Sequence, residues 1–431
     1  MALGGGNFIT QNKVLPGTYI NTVSLAKSTA ELSERGTCAL ALALDWGESG
    51  KVFTVTAEDF QKNSLKLFGY NYADEKLKDI REIFKHAKTV HFYRLNDGEI
   101  AKNTYCNAKY GGIVGNNIQI VIENNEKNTT GLYDVSTYFK GVLVDKQTEI
   151  EGTTNNLVDN DYVTWIKNIS LAVTNTPLTG GVTNTYDDSA CQFFLDKIES
   201  YSFNTIGILD TNATALLVAW TKRMRDEVGA KFQAVIQGDT YTDVDYEGIV
   251  KIVNSNDTSL ISWVVGALAS CNINESLTNF KYDGENLIFT DYTQSELADL
   301  LTEGWFIFHK VGDDVRVLED VNSFVSFTEE KSRDFSSNQT IRVIDQSAID
   351  IALLFNTKYL GKIPNDESGR ISLWNDILKL NQKMQDLRAI ENFKADDLII
   401  EKGETKKAVI VTNPIEPVNA MAQLYMTIII K

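Results

Sequence analysis

Residues 205–236, TIGILDTNATALLVAWTKRMRDEVGAKFQAVI, contain the pattern that decides the fold of this 431-residue chain. The apolar run Thr205–Leu209 predicts a buried strand, and Asn212 is placed to cap a helix that ends near Val228. The run Lys231–Ile236 predicts the next strand. Alternation of strands and helices at this spacing is typical of an α/β sheet whose faces are covered by helices.

The chain on both sides of this stretch continues the same alternation. Asp187–Tyr201 is amphipathic and predicts a helix, and Gly248–Val253, Trp305–Val311 and Val315–Leu318 predict strands. Between the first two of these strands, Ser259–Ser270 is apolar on all sides of a helix. We therefore expect this helix to be buried.

The region before this pattern divides into two parts. Cys38–Leu44 and Thr89–Leu95 predict strands, and Asp74 is placed to cap a helix between them. Residues 98–180 contain short β-rich runs separated by Asn, Thr and Gly clusters, with no long helical pattern. This composition is typical of a small all-β insertion.

The end of the chain predicts two helices and two strands. The helices are about Gln346–Tyr359 and Ile371–Ile390, and the strands are Lys407–Thr412 and Met421–Ile430. Even positions of the last strand are all apolar, whereas odd positions are mixed, which predicts a half-buried strand. An unpaired apolar strand is a template for aggregation, so this one must pair either within its own sheet or with a sheet of another subunit.

The overall composition excludes several classes of function. The chain has 58 Asp and Glu against 41 Lys and Arg, a formal net charge of −17, which is unsuited to general binding of nucleic acid. Its four cysteines (Cys38, Cys106, Cys191 and Cys271) form no CxxC pair and are expected to be buried thiols in a reducing compartment. The longest apolar run is about twelve residues, shorter than the roughly twenty of a membrane span, so no membrane insertion is expected.

Two loops imitate ligand-binding motifs but lack residues that the chemistry needs. Gly47–Lys51 imitates a P-loop, which requires Gly where Asp45 stands and Ser or Thr where Val52 stands. The acidic loop that begins at Asp243 imitates an EF-hand, but Asn254 occupies the position of the bidentate Glu. We therefore expect no nucleotide or calcium site, and no cofactor.

The titratable residues also offer few candidates for catalysis. His86 and His91 straddle a junction between a helix and a strand, and His309 lies in an apolar strand where a packed core residue is expected. Asp187 and Asp188 open a helix, where acidic side chains favour the helix dipole. We expect a protein that is not an enzyme, although the strand–helix alternation leaves an α/β nucleotide-binding enzyme as the alternative.

Short segments spread over most of the chain carry a family resemblance through their joint order and spacing. They are PGTYI (16–20), WTKRMR (220–225), KFQAV (231–235), DYEGI (245–249), VRVLEDVNS (315–323), FTEEK (327–331), IRVIDQ (341–346), GKIPN (361–365), EPVNAM (416–421) and LYMT (424–427). In these segments the chain resembles the sheath protein of contractile phage tails and of phage-tail-like bacteriocins. Another polymeric virion protein, such as a tube or capsid subunit, is a further alternative.

The resemblance implies a fold in which an α/β sandwich core carries a small β-sandwich insertion and extended arms at both ends. The expected divisions are an N-terminal arm (1–30), a first part of the α/β core (31–97), the β-sandwich insertion (98–182), a central α/β domain (183–330), a C-terminal α/β domain (331–412) and a C-terminal arm (413–431).

The resemblance also implies a mechanical function and its partners. Sheath subunits form hexameric rings stacked helically around a tail tube, between baseplate and tail terminator proteins, and contract from a metastable extended state to drive the tube through a cell envelope. The implied location is a virion tail or tail-like particle assembled in the cytoplasm of a bacterial host. Neither nucleic acid nor a membrane is an implied partner.

The same resemblance implies which residues link the subunits. Terminal arms add strands to the sheets of neighbouring subunits, and the linking residues expected here are Pro16, Gly17, Tyr19 and Ile20 in the N-terminal arm, and Leu424, Tyr425, Met426, Thr427, Ile428, Ile429 and Ile430 in the terminal strand. A further hypothesis is that the helix Ile371–Ile390 faces the tube with its charged residues, Asp376, Lys379, Lys383, Asp386 and Arg388.

Overall fold

The computed structural model describes residues 32–125, 131–238, 244–255 and 257–430. The α-helices in these ranges are α1 Ala57–Phe68, α2 Lys78–Phe84, α3 Asp188–Ile198, α4 Thr214–Arg223, α5 Ser259–Ser270, α6 Gln294–Thr302, α7 Asn338–Leu354 and α8 Glu367–Asp386. A π-helical turn extends α4 over Met224–Val228, and a second extends α7 over Phe355–Tyr359.

The strands are numbered in chain order. They are β1 Thr37–Leu42, β2 Val52–Thr56, β3 Thr89–Arg94, β4 Gly98–Glu99, β5 Cys106–Ala108, β6 Ile118–Asn124, β7 Leu132–Phe139, β8 Val142–Glu151, β9 Val163–Trp165, β10 Thr174–Pro177, β11 Val182–Thr183, β12 Thr205–Ile208, β13 Gln233–Gln237, β14 Ile249–Ile252, β15 Trp305–Phe306, β16 Phe308–Val311, β17 Asp314–Val317, β18 Ile390–Glu391, β19 Ile399–Lys402, β20 Val409–Thr412 and β21 Glu416–Pro417.

A seven-stranded sheet in the order β15-β14-β13-β12-β1-β3-β2 forms the centre of the molecule. Its neighbours are parallel except for β2, which runs antiparallel to β3. Alternate residues of β1 serve two cores: Leu40 packs with α1, α2 and α5, whereas Ala39 packs with α3 and α4. This period of two produces three layers with the sheet in the middle, which confirms the predicted α/β core.

Helix α5 is the most completely buried helix of the core. Every residue of it except Ser270 is buried, as its all-round apolar pattern predicts. It lies so close to α2 that a Cβ atom at Gly266 would be only 2.4 Å from the carbonyl oxygen of Ile83. Only glycine permits this approach between the two helices.

A second, all-β unit is attached at one end of the central sheet. Its sheet has the order β10-β6-β7-β8, and the short pair β5–β9 lies beside it. Its core includes Trp46, which comes from the loop after β1 and whose ring lies 5.2 Å from Tyr110 and 5.4 Å from Phe139. This unit is the predicted β-sandwich, and Trp46 packs it against the α/β core.

Two buried ion pairs attach helix α7 to the π-helical extension of α4 and to the loop that follows β17. Arg342 Nη2 lies 2.6 Å from Asp320 Oδ2, and Arg225 donates to both oxygens of Asp345 at 2.7 and 2.9 Å. All four side chains are almost fully buried. Because removing one partner would leave a buried charge unpaired, these pairs fix the position of α7 in the fold.

Five local predictions differ from the structure. The helix predicted at Ile371–Ile390 is observed as α8, Glu367–Asp386, so Arg388 lies beyond its end and Ile390 belongs to β18.

Asp210, rather than Asn212, caps the turn that leads into α4, because its carboxylate accepts the backbone N–H of Asn212. Helix α7 begins at Asn338 rather than near Gln346, because its first two turns bury polar side chains that hide the apolar period.

The other two differences concern strands. The predicted strand Trp305–Val311 is divided at Ile307, since β15 pairs with the central sheet and β16 pairs with β17. His309 therefore lies half-buried on a hairpin and is not a core residue. The predicted strand Met421–Ile430 is not observed as a strand, and it has no strand partner within the described residues.

Candidate assembly surface at the C-terminal segment

The C-terminal segment, residues 418–430, exposes an apolar surface that the other described residues do not cover. The large apolar side chains from Met421 onward are all exposed, and the least exposed of them, Met426, is 71% accessible. Scattered single apolar residues are normal on a protein surface, but a continuous run marks an interaction site. The predicted linking residues 424–430 all lie in this run.

The beginning of this segment is fixed to the folded chain. The N–H of Val418 donates to the carbonyl of Ala389 at 2.9 Å, which continues the pairing of β21 with β18. The N–H of Ala420 donates to Gln339 Oε1 at 2.9 Å. We call this attachment, together with Asn419, the C-terminal root.

Asn419 connects the C-terminal root to the first turn of α7. Its Oδ1 accepts hydrogen bonds from Ser337 Oγ and Thr340 Oγ1, both at 3.2 Å. From Met421 to Ile430 no hydrogen bond to another part of the described chain follows. The segment is therefore held at one end and open to a partner along the rest of its length.

The N-terminal linking residues, Pro16, Gly17, Tyr19 and Ile20, lie outside the described residues. The described chain begins with an attachment of its own, which we call the N-terminal root. The backbone N–H and the hydroxyl of Ser33 donate to Asp350 Oδ1 at 2.9 and 2.6 Å, and Gln346 Nε2 donates to Ser33 Oγ at 2.7 Å. Asp350 and Gln346 belong to α7, so both roots are attached to the same helix.

Arg35 strengthens the N-terminal root. Its guanidinium donates to the carbonyls of Cys271 and Leu268 at 2.9 and 3.1 Å, at the end of α5. Burial, aided by the positive charge of Arg342, lowers the pKa of Arg35 to about 10. No periodicity in the sequence signals these contacts, and the sequence analysis did not identify them.

The charged residues proposed to face a tube divide into two groups. Asp376 is buried and accepts a hydrogen bond from Tyr359 Oη at 2.5 Å and another from Lys358 Nζ. The prediction that it belongs to an exposed polar face is therefore wrong, because α8 turns this carboxylate towards α7. Lys379, Asp386 and Arg388 are exposed and Lys383 is half-buried, and their contact with a tube stays a prediction.

An exposed hairpin lies near the C-terminal root. Strands β19 and β20 pair only with each other among the described residues. Ile399, Ile410 and Val411 in these strands are exposed. A two-stranded sheet with apolar residues on its surface offers open edges for an added strand.

The residues that imitated ligand sites have structural roles. Lys51 is followed directly by β2, whereas the Lys of a P-loop opens a helix. Asp245 accepts the backbone N–H of Val325 at 2.7 Å, and Asp187 caps α3. Within the described ranges, no group of three or more His, Cys, Asp or Glu side chains is arranged to hold a metal ion.

The cysteines and the helices are the remaining candidates for chemical reactivity and for membrane insertion. All four cysteines are buried, as predicted, and burial raises the pKa of the Cys106 and Cys191 thiols to about 12. No helix in the described part of the chain is long and apolar enough to cross a membrane.

Four family models match successive parts of the chain. They are described as phage tail sheath C-terminal domain (residues 330–431), phage tail sheath protein central domain (180–323), tail sheath protein Gp18 domain III N-terminal region (35–95) and phage tail sheath protein beta-sandwich domain (72–184). Among curated proteins, the phage-like element PBSX protein XkdK of Bacillus subtilis is 31% identical, and the match covers 99% of each chain.

Solved structures give the same result. A sheath tail protein of Desulfitobacterium hafniense is 32% identical with a TM-score of 0.78, and the match covers 93% of this chain and 96% of that one. A sheath tail protein of Listeria innocua is 31% identical with a TM-score of 0.79, covering 92% of this chain and 94% of that one. The contracted helical sheath of the anti-feeding prophage, at 10% identity and a TM-score of 0.56, shares the fold.

Proposed function

The chain belongs to the phage tail sheath protein family, and from this premise we propose that it polymerises as stacked hexameric rings around a tail tube and contracts to drive the tube through a cell envelope. Proteins of this family are structural components of phage tails or tail-like particles and are not enzymes, so the nucleotide-binding alternative is wrong. In the proposal, assembly takes place in the host cytoplasm, with tube, baseplate and terminator proteins as partners.

The observation that carries this proposal is the C-terminal segment, which is anchored at its root and uncovered beyond it. In the proposed assembly, residues 421–430 add as a strand to a sheet of a neighbouring subunit. A strand of about ten residues makes roughly five to eight backbone hydrogen bonds, each worth on the order of 1 kcal/mol. Burial of its apolar face adds about 25 cal/mol for each Å² removed from water.

The hairpin β19–β20 is the proposed acceptor of a donated strand. It has open edges and exposed apolar residues, and it belongs to the same C-terminal part of the chain as the donor. A donor and an acceptor on one chain allow each subunit to give a strand to one neighbour and receive a strand from another. Such head-to-tail contacts do not close as a dimer but generate rings or helical arrays, as the stacked rings of the proposal require.

Truncation after Ala420 tests strand donation while leaving the C-terminal root intact. We expect a monomer whose thermal unfolding is unchanged, because the large apolar side chains that are removed are all at least 71% exposed. We also expect that it forms no sheaths in electron micrographs. Normal sheaths from the truncated chain would overturn strand donation.

A pair of substitutions separates backbone pairing from side-chain burial. Met426→Pro removes one N–H donor and fixes φ, so it should reduce sheath formation more than Met426→Ala, which keeps the donor. Equal sheath yields from the two variants would contradict pairing through the backbone.

A further inference from the structure

An exposed apolar loop in the central domain has no function in the contacts described so far. The Leu287 loop, residues 283–291, carries Leu287, whose side chain is 94% exposed, and Phe289, which is 53% exposed. Leu287 does not contribute to the core of its own chain, so its exposure has no explanation within the single subunit.

The first half of the Leu287 loop is held rigidly. Arg81 donates to both carboxylate oxygens of Glu285, at 2.9 and 2.7 Å, and the N–H of Glu285 donates to Glu82 Oε1 at 2.6 Å. The next N–H in the chain, that of Asn286, donates to Tyr282 Oη at 2.9 Å. Leu287 follows directly after these contacts.

The second half of the loop is held by one fully buried residue, Asn254. The backbone carbonyl of Asn254 accepts the N–H of Phe289 at 2.8 Å, and Asn254 Nδ2 donates to the carbonyl of Phe289 at 2.7 Å. Leu287 is therefore presented between two fixed points. A side chain that is ordered before binding loses little conformational entropy on docking, which favours a specific contact.

A cavity of complementary character lies in the C-terminal domain. This cavity, which we call the α7–α8 cavity, has a volume of about 630 Å³. Its apolar wall includes Phe355, Leu360, Ile363 and Val409. The π-helical turn at Phe355–Tyr359 contributes both of its end residues to the wall, and such turns are frequent at functional sites.

The rim of the α7–α8 cavity is positively charged. Lys362 and Arg370 donate to neutral oxygens, those of Thr357 and Asn365, so their charges are not neutralised by these contacts. Lys406 and Lys407 are exposed and form no ion pair with the described residues. The cavity thus suits an apolar side chain that is flanked by acidic groups.

The Leu287 loop has this combination. Asp283 and Asp291 stand at its two ends, and both are exposed. The described residues leave both the loop and the cavity open, and the loop does not line the cavity of its own chain, so they meet only between copies. We propose that the Leu287 loop of one subunit inserts Leu287 into the α7–α8 cavity of a second copy, with its acidic ends against the lysines of the rim. The inference rests on the proposed function, because it requires assembly.

Paired cysteines test this contact in assembled sheaths. The four native cysteines are buried and do not interfere. Under mild oxidation, a chain with Leu287→Cys and Ile363→Cys should give a ladder of multimers on non-reducing gels, and each single variant should give none. A matched control places the second cysteine at Val158, which is exposed at 71% on the β-sandwich. No ladder above this control would overturn the proposal.

Replacement of the apolar side chain of Leu287 gives a second readout. Leu287→Asp should lower the sheath yield by about tenfold or more without changing thermal unfolding, whereas Val158→Asp should leave the yield unchanged. Unchanged yield from Leu287→Asp would contradict the proposal.

Two further outcomes are distinguished by the same experiments. A ladder between Ile363→Cys and Ile428→Cys, with none from Leu287→Cys, would assign the cavity to the C-terminal segment and overturn the proposal. Failure of the unaltered chain to form sheaths would overturn the proposed function, and with it this contact.

Discussion

Helix α5 and the C-terminal segment are both strongly apolar stretches, and they have opposite environments. In α5 every residue but Ser270 is buried, whereas in the segment the side chains after Ala420 are exposed. The difference arises from position: α5 is surrounded by α2 and the central sheet, while the segment leaves its root beyond the last strand of the chain. An apolar pattern therefore predicts that a surface will be covered, but it does not identify the chain that covers it.

Among the substitutions that test this comparison, the largest change in the free energy of unfolding is expected at Trp263 in α5. Its side chain is fully buried and its Nε1 donates to Asp283 Oδ1 at 2.8 Å. Trp263→Ala should lower the free energy of unfolding by about 3–5 kcal/mol, measured by denaturant titration of the monomer. Tyr425→Ala in the exposed segment is the matched control and should leave the monomer unchanged. A large loss of stability from the control would show that the segment packs on its own chain.

A smaller effect is expected where α5 approaches α2. Gly266→Ala places a methyl group against the backbone oxygen of Ile83, which cannot rotate away, and should cost about 1–3 kcal/mol in the same titration. Ser262→Ala is a control in the same helix: the Ser262 hydroxyl is buried and has no hydrogen-bond partner among the described residues, so its removal should be neutral or slightly stabilising. If Gly266→Ala is as stable as the unaltered chain, the two helices have room to separate.

The smallest expected effect concerns net charge. Residues 418–430 have no charged side chain, whereas the whole chain is strongly negative. With a net charge of −17, subunits repel one another at low ionic strength. The concentration needed for sheath formation should therefore fall as salt rises from about 0.01 to 0.15 M, where the screening length shortens from about 30 to 8 Å. Light scattering measures this threshold, and a threshold that rises with salt would show that attractive ion pairs dominate the contacts.

The sequence predicts the central fold well because its strands and α5 have clear apolar periods. Residues such as Leu40 and Ala39 alternate between two cores, and this alternation is visible in the letters alone. The first half of α7 escaped prediction for the opposite reason. Arg342 and Asp345 are buried there because they form ion pairs with residues distant in the sequence, and no local sequence pattern predicts such pairs.

The candidate site was predicted in part for similar reasons. The apolar letters of 421–430 predicted a strand that must be covered, and the family resemblance assigned 424–430 to contacts with a neighbour, whereas the two roots depend on single polar contacts made by Ser33 and Asn419. The burial of Asp376 likewise depends on Tyr359, a neighbour on the preceding helix. Side-chain pairing between distant elements is a property of the folded chain, so periodicity cannot reveal it.

The attachment of both roots to α7 has a mechanical consequence. The contacts lie at Gln339 and Thr340 for one root and at Gln346 and Asp350 for the other. At 1.5 Å per residue, they are separated by only about 9–16 Å along the helix axis. In the proposed array, a pull on one arm would reach the other through this one short helix, and neither the central sheet nor the β-sandwich would lie between them. The rest of the subunit would move together with the helix, because the two buried ion pairs fix α7 in the fold.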